Sequence, residues 1–325
     1  MLSEESDVLD CIKSDILSAD LKFSLFNAAL NSYRYNSVLD PFPSVFIESE
    51  AKEDGIIELV IMRKIASKAP SLETLKKYQT SANWKSNPEL CSLLKWLYLS
   101  SNFPKLRRLN NSDVSLTIIR FLKIQKLVKQ EGDSKAPSHV FEIIYNSENE
   151  DLFQSRRAGQ KILYGYHGSR IENFHSILHC GLKSHLNKTS VYGTGTYLSS
   201  ELSVSLVFSP TGTTWNNSIF GSKLSCIAVC EIIDDPQVKC HEKSKGERTT
   251  TRAADSESGS IPEKYYLVPN NDLLRVKYLL VYATQPKPRE KVQKNWFREN
   301  GFFVVIIAYV VLLLMASVSS SIFKS

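Results

Sequence analysis

The sequence predicts an α+β protein in which a helical module precedes a sheet-based domain and one apolar helix closes the chain. Three observations carry this. The first hundred residues place apolar side chains at helical spacing, the segment after Pro104 turns into short β-branched and aromatic runs, and the last stretch is almost free of charge. Strand runs with few intervening helices point to α+β, not to a doubly wound parallel sheet. The expected boundaries are a helical module over 1–104, a second domain over 105–285, a basic linker over 286–300 and an apolar anchor over 301–323. A chain of 325 residues, 42% of them hydrophobic, is long enough for two domains that each bury a core.

Taken in order, Ser18-Ala-Asp20 is a candidate cap for a helix that carries Leu21, Leu25, Ala28 and Ala29 at helical spacing, with Phe26 and Leu30 beside them. Pro41-Phe-Pro43 breaks the chain. Helices are expected over Gly55–Met62 and Pro88–Leu99, dense enough to pack on each other. Strands are expected over 115–120, Val140–Tyr145, Ile162–His167, Ser225–Ile233, Lys264–Val268 and Val276–Tyr282. Between them, Ile171–Cys180 is a helix closed by Gly181. A second helix runs over Ser200–Phe208 with Ser200 as its N-cap. The polar stretch from Cys240 to Ile261 has no periodicity and is a loop.

The N-terminus is acidic, with neither a basic nor an apolar leader region, so no signal peptide is expected. From Phe302 to Val318 only Tyr309 and Ser317 carry polar groups, and the uncharged run extends to Phe323. That length suits a membrane span of roughly 20 residues, and a soluble helix of this length would show a polar face. Lys287, Arg289, Lys291, Lys294 and Arg298 precede the span and only Lys324 follows it. Basic residues stay on the cytosolic side. The expectation is therefore a tail anchor, inserted after synthesis, with the body of the protein in the cytosol. The short span favours the thin endoplasmic-reticulum bilayer. The sequons at Asn110, Asn187 and Asn216 would then stay bare.

The charge balance, 40 basic against 34 acidic residues and a net +6, is too mild for a dedicated nucleic-acid binder, and no such partner is expected. The six cysteines are scattered without a C-x-x-C pair, unlike a disulfide scaffold. Period-two alternation puts Cys226 and Cys230 on one face of a strand, where buried cysteine is ordinary packing. His175 and His179 stand at i, i+4 and have zinc-ligand spacing, but the H-E-x-x-H glutamate and a third ligand are missing, so no metal is expected.

Two segments hold the chemistry: Tyr164-Gly-Tyr-His167-Gly-Ser169 and Tyr192-Gly-Thr-Gly-Thr-Tyr197. The second is not G-x-G-x-x-G, which disfavours a hydride-transfer dinucleotide fold. His167 ends an apolar strand. Gly168 lets another group approach the backbone, and Ser169 adds a hydroxyl at the same lip. A strand-end histidine also serves purely structural ends. Tyr197 offers a flat face for a ring to stack on, or packs under its own turn; the residues alone leave both readings open.

With Tyr265 in Pro262-Glu-Lys-Tyr265-Tyr-Leu-Val, these residues resemble the three-residue signature of the poly(ADP-ribose)-polymerase-type ADP-ribosyltransferases. The helical N-terminus and the anchor are similar to the tail-anchored endoplasmic-reticulum type within that family. The resemblance implies a split β-sheet catalytic domain and NAD as substrate. It implies that His167 holds the adenosine ribose, the Gly168 backbone the nicotinamide amide, and Ser169 the neighbouring ribose. Tyr197 would stack on nicotinamide. Phe208 stands where the family has a second stacking tyrosine, and Ser205 would bind the amide oxygen. Chain-elongating members carry glutamate at the third position. Here Tyr265, an uncharged phenol, stands instead, which implies transfer of a single ADP-ribose to protein acceptors, self-modification included. A catalytically silent scaffold on the same membrane is the alternative. The helical module is expected to pack on the catalytic domain and to influence access of NAD.

Overall fold

The computed structural model describes residues 2–46, 55–77, 87–101, 103–109, 136–183, 192–240 and 261–283. The strand expected over 115–120, the loop over 241–260, the sequons at Asn110 and Asn187, the basic linker and the apolar stretch all lie outside these residues. Among the described residues no helix is long and apolar enough to cross a membrane.

The helical part comprises α1 (Leu2–Ser14), α2 (Ile16–Leu30), α3 (Tyr35–Val38), α4 (Gly55–Lys68), α5 (Leu72–Leu75) and α6 (Pro88–Leu99). Pro88 sits in the first turn of α6, where its missing N–H costs nothing. The cap expected at Ser18–Asp20 lies elsewhere. α2 starts at Ile16, and the Asp15 carboxylate accepts from the Ser18 N–H at 3.0 Å. Asp15 wins because a carboxylate at the cap also meets the positive end of the helix dipole. Asp20, freed from capping, has another task.

α2 is buried all round from Ser18 to Leu30 because it is a wall shared by two cores. Leu21, Leu25 and Ala28 join the core of the sheet. Phe23, Phe26, Ala29 and Leu30 join Met62, Leu93, Leu94 and Leu97 in the core of the helices. The boundary expected at 104/105 is thus crossed by packing. Trp215, far along the chain, inserts edge-on against Phe23 with ring centroids 4.6 Å apart. Residues 1–285 form one compact unit.

Among the described residues, nine strands build one antiparallel sheet in the order β1-β2-β9-β6-β3-β4-β8-β7, with β5 paired to β6. They are β1 (Lys105–Arg108), β2 (His139–Ile144), β3 (Ile162–Gly168), β4 (Thr196–Ser199), β5 (Gly212–Thr213), β6 (Lys223–Ile233), β7 (Lys239–Cys240), β8 (Tyr265–Val268) and β9 (Leu274–Ala283). Helices α7 (Ser147–Arg157), α8 (Phe174–Cys180) and α9 (Leu202–Leu206) connect them. An α+β architecture is therefore what the chain adopts. β6 is an almost unbroken apolar run because both faces are covered. Cys226, Ala228, Cys230 and Ile232 face α2 and α8, while Ile227 and Val229 face Leu202 and Tyr282. Both cysteines are fully buried, and burial pushes both thiols up.

Gly181 closes α8 at φ 74°, donating its N–H to Ile177, and the first residues of the expected helix, Ile171–Asn173, form a 3-10 turn. His175 and His179 point their bonded nitrogens at backbone, toward the Pro41 carbonyl at 3.1 Å and the His175 carbonyl at 2.8 Å. α9 is shorter than expected and Ser200 does not cap it. The Glu201 N–H is taken by the Ser199 hydroxyl at 3.0 Å.

Asp20 fastens the two parts together. Fully buried, it accepts from the hydroxyls of Ser218 and Ser24 and from the Ile219 N–H at 3.0 Å. Burial outweighs these bonds and raises its carboxyl from 3.8 to about 6. A raised folded-state pKa means that the folded protein holds the proton more tightly than the unfolded chain. The stability contributed this way is complete below about pH 4 and is lost as the pH rises through about 6. Urea titrations between pH 4 and 7 should show wild type losing up to about 3 kcal/mol relative to Asp20→Asn across that window.

Candidate active site

The site forms where the end of β3 meets the β4–β8 pair. β3 and β4 share a single registered pair, Tyr166 with Ser199, so the sheet nearly parts here. β4 and β8 pair fully, with Tyr197 opposite Leu267 and Ser199 opposite Tyr265. Alternation therefore puts Tyr197 and Tyr265 on one face.

His167 spans the weak seam. Its Nδ1 lies 3.0 Å from the Tyr197 carbonyl, which can only accept, so Nδ1 carries the proton and Nε2 a lone pair. Enclosure lowers the imidazole pKa, with the bond to Tyr197 opposing. The neutral ring is thus favoured, and Nε2 has no partner among the described residues. This tautomer presents an acceptor suited to a hydroxyl.

Gly168 is required by protein packing. A Cβ there would stand 1.9 Å from the Ser205 carbonyl oxygen and 3.0 Å from Phe208 Cβ. Only a hydrogen lets the turn after α9 come down on the strand end. That approach brings Phe208 beside Gly168 with 56% of its surface exposed. Ser205 is buried, and its hydroxyl donates to the Tyr166 carbonyl at 3.0 Å. With its proton committed, the oxygen keeps lone pairs and suits an N–H partner.

The Tyr197 hydroxyl donates to the Gly193 carbonyl at 2.7 Å and accepts from the Tyr192 N–H at 2.9 Å, so the ring is pinned by its own turn. Tyr192 lies with its ring centroid 6.4 Å from those of both Tyr197 and Tyr265. The structure thus unites His167, Gly168, Tyr197, Ser205 and Phe208 around one strand end, with Tyr265 joined to them through Tyr192.

Several supports escaped the sequence. The Lys264 carbonyl accepts from the Ser199 hydroxyl at 2.8 Å and the Ser200 N–H at 2.9 Å, and its ammonium pairs with Glu201 at 2.8 Å. These bonds fix Tyr265 against β4. Ser209 accepts from the Ser169 N–H at 3.0 Å and donates to the Cys226 carbonyl at 2.8 Å. The Ser169 hydroxyl accepts from Asn173 at 2.7 Å, and Asn173 accepts from Arg34 at 2.7 Å. Arg34 also faces Glu172 at 3.6 Å. A helical-module side chain therefore reaches the lip of the site through one intermediate residue. Nothing in the sequence marks Arg34.

The poly(ADP-ribose) polymerase catalytic domain model matches residues 120–284. A second model, the ARTD15 N-terminal domain, matches residues 10–98. The human protein mono-ADP-ribosyltransferase PARP16 is 43% identical over 94% of this chain and 92% of its own length. The chain belongs to the poly(ADP-ribose) polymerase family. The mouse protein mono-ADP-ribosyltransferase PARP16 is 38% identical over 98% of this chain and 96% of its own length. A more distant family member, mouse protein mono-ADP-ribosyltransferase PARP8, is 24% identical over 85% of this chain but only 33% of its own length.

Gly168→Ala tests the packing at the strand end. The new methyl group meets backbone, which cannot swing aside. The variant should lose about 1–3 kcal/mol of stability, measured by thermal denaturation, and its Phe208 ring should move away from residue 168 in a crystal structure.

Proposed function

We propose that this poly(ADP-ribose) polymerase family member takes one ADP-ribose from NAD and passes it to protein side chains, its own among them. NAD supplies the labile bond, since nicotinamide leaves that ribose as a neutral molecule. The residues fit such a substrate on the geometry of the strand end. His167 offers an acceptor nitrogen with no partner among the described residues, in a fixed tautomer, and Phe208 offers an exposed ring beside the adjacent Gly168.

Each side chain then has a task of its own. Nε2 of His167 accepts from a ribose hydroxyl, while its Nδ1–H stays on Tyr197. The Gly168 backbone and the lone pairs of Ser205 hold the nicotinamide amide, with Ser205 accepting its N–H rather than donating to its oxygen. Tyr197, locked by Gly193 and Tyr192, and Phe208 give the ring two aromatic walls. Tyr265 has no carboxylate with which to take a proton from an incoming ribose hydroxyl, so the reaction stops after one unit. Rate enhancement comes from holding the substrate and the acceptor in line, which needs positioning more than acid–base chemistry. The arrangement asks no metal of the protein.

The single observation that carries this reading is the His167 Nδ1 bond to the Tyr197 carbonyl. Incubation with labelled NAD should place label on the wild-type chain. His167→Ala should lower labelling by roughly 10- to 100-fold, the loss of one well-placed hydrogen bond to a substrate. Tyr265→Phe should retain labelling within about tenfold. Equal labelling of wild type and His167→Ala sinks the assignment.

The same reading places the body at the cytosolic face of the endoplasmic reticulum and the continuous nuclear envelope. Its support is the uncharged stretch 302–318 behind five basic residues. A sequon appended after Ser325 should acquire glycan on microsomes while the exposed Asn216 stays bare. Glycan on Asn216, with none on the appended site, reverses the topology.

A further inference from the structure

A second cavity lies away from the strand end, between α1, α2, the end of α6 and β1. Its volume is about 550 Å³, within the range of roughly 300–1,000 Å³ typical of small-molecule sites. Lys22 projects from α2 into it. The residue is only 8% exposed, yet its ammonium makes no hydrogen bond and no ion pair with any described residue. A cation on a largely buried stem gains from a counter-charge where its head group opens into a cavity. Burial, the largest influence, brings this ammonium down to about 8; the nearby Cys11 opposes that shift and the cation of Lys105 adds to it.

The acids on the cavity wall do not answer Lys22. Asp15 is occupied by the Ser18 N–H, the Ser18 hydroxyl and the Arg108 N–H. Asp10 sits exposed at the rim. Asp20, on the same helix, bonds Ser218 and Ile219 instead. Phe103 and Leu106 give the wall apolar surface, Ser14, Ser100 and Ser101 line it beside them, and the Tyr98 hydroxyl is turned to the Ala19 carbonyl at 3.1 Å. A lysine with a largely buried stem, a second cation at the edge and the apolar surface of Phe103 and Leu106 define what would complete the site.

We propose that this cavity binds a small organic anion, a carboxylate or phosphate on an apolar body, whose head group pairs with Lys22 and Lys105. The body of the ligand lies on Phe103 and Leu106. The site is separate from the one that takes NAD.

The test titrates the full chain with phenyl phosphate and phenylpropionate by calorimetry, with phenylpropanol as the uncharged control, in the presence and absence of saturating ADP-ribose. At least one anion should bind tenfold or more tightly than the alcohol, with the same affinity when ADP-ribose is present. Lys22→Met, which keeps the stem and removes the charge, should lose that preference. Which of the two anions binds decides between a phosphate and a carboxylate head group. Reductive methylation mapped by peptide mass provides a readout on the wild-type chain alone: the anion should slow modification of Lys22 several-fold. No binding by either anion, equal binding by the alcohol, displacement by ADP-ribose, an unchanged affinity in Lys22→Met, or unprotected Lys22 each overturns the proposal.

Discussion

One hydrogen bond holds the candidate site together, from the His167 ring to the carbonyl of Tyr197. It crosses the seam where β3 and β4 share only one registered pair, so it substitutes for the ladder that a continuous sheet would supply. The same bond settles which imidazole nitrogen is bare. A carbonyl can accept but not donate, and the choice of tautomer is therefore made by the backbone. That choice leaves the acceptor at Nε2, while the Tyr197 ring is held by its own turn and Tyr265 by its pairing with β4.

The second constraint is steric. Gly168 gives up a side chain so that the Ser205 carbonyl can settle on the strand end. The resulting turn is what turns Phe208 outward and Ser205 inward. A glycine in such a motif invites the interpretation that a ligand needs the room. Here the protein's own backbone takes it, and any ligand contact at Gly168 is made by its backbone groups on the remaining side.

Much of this was legible in advance because it rests on local patterns. The apolar runs of β6 and β9 and the dense helix behind Pro88 announce themselves by composition and spacing. The strand-end motif around His167 is compact in sequence. What escaped depends on contacts between distant residues. Asp20 looks like a cap until Ser218 and Ile219, some two hundred residues away, claim it. The α2 pattern looks like one apolar stripe, whereas Leu21, Leu25 and Ala28 serve one core and Phe26 and Ala29 another. Short elements such as β4 and β7 carry too few residues to show a period. Residue type also cannot reveal that the Ser205 hydroxyl proton is committed to the Tyr166 carbonyl.

The chain of contacts from Arg34 through Asn173 to Ser169 has a consequence for heredity as well as for shape. A sheet whose lip is braced by a side chain from a preceding helix loses that brace when it is moved into a new protein alone. Trp215, lodged among those helices, makes the dependence mutual. A substitution at their seam is therefore felt on both sides, and a sheet without the helices needs other residues to hold its lip.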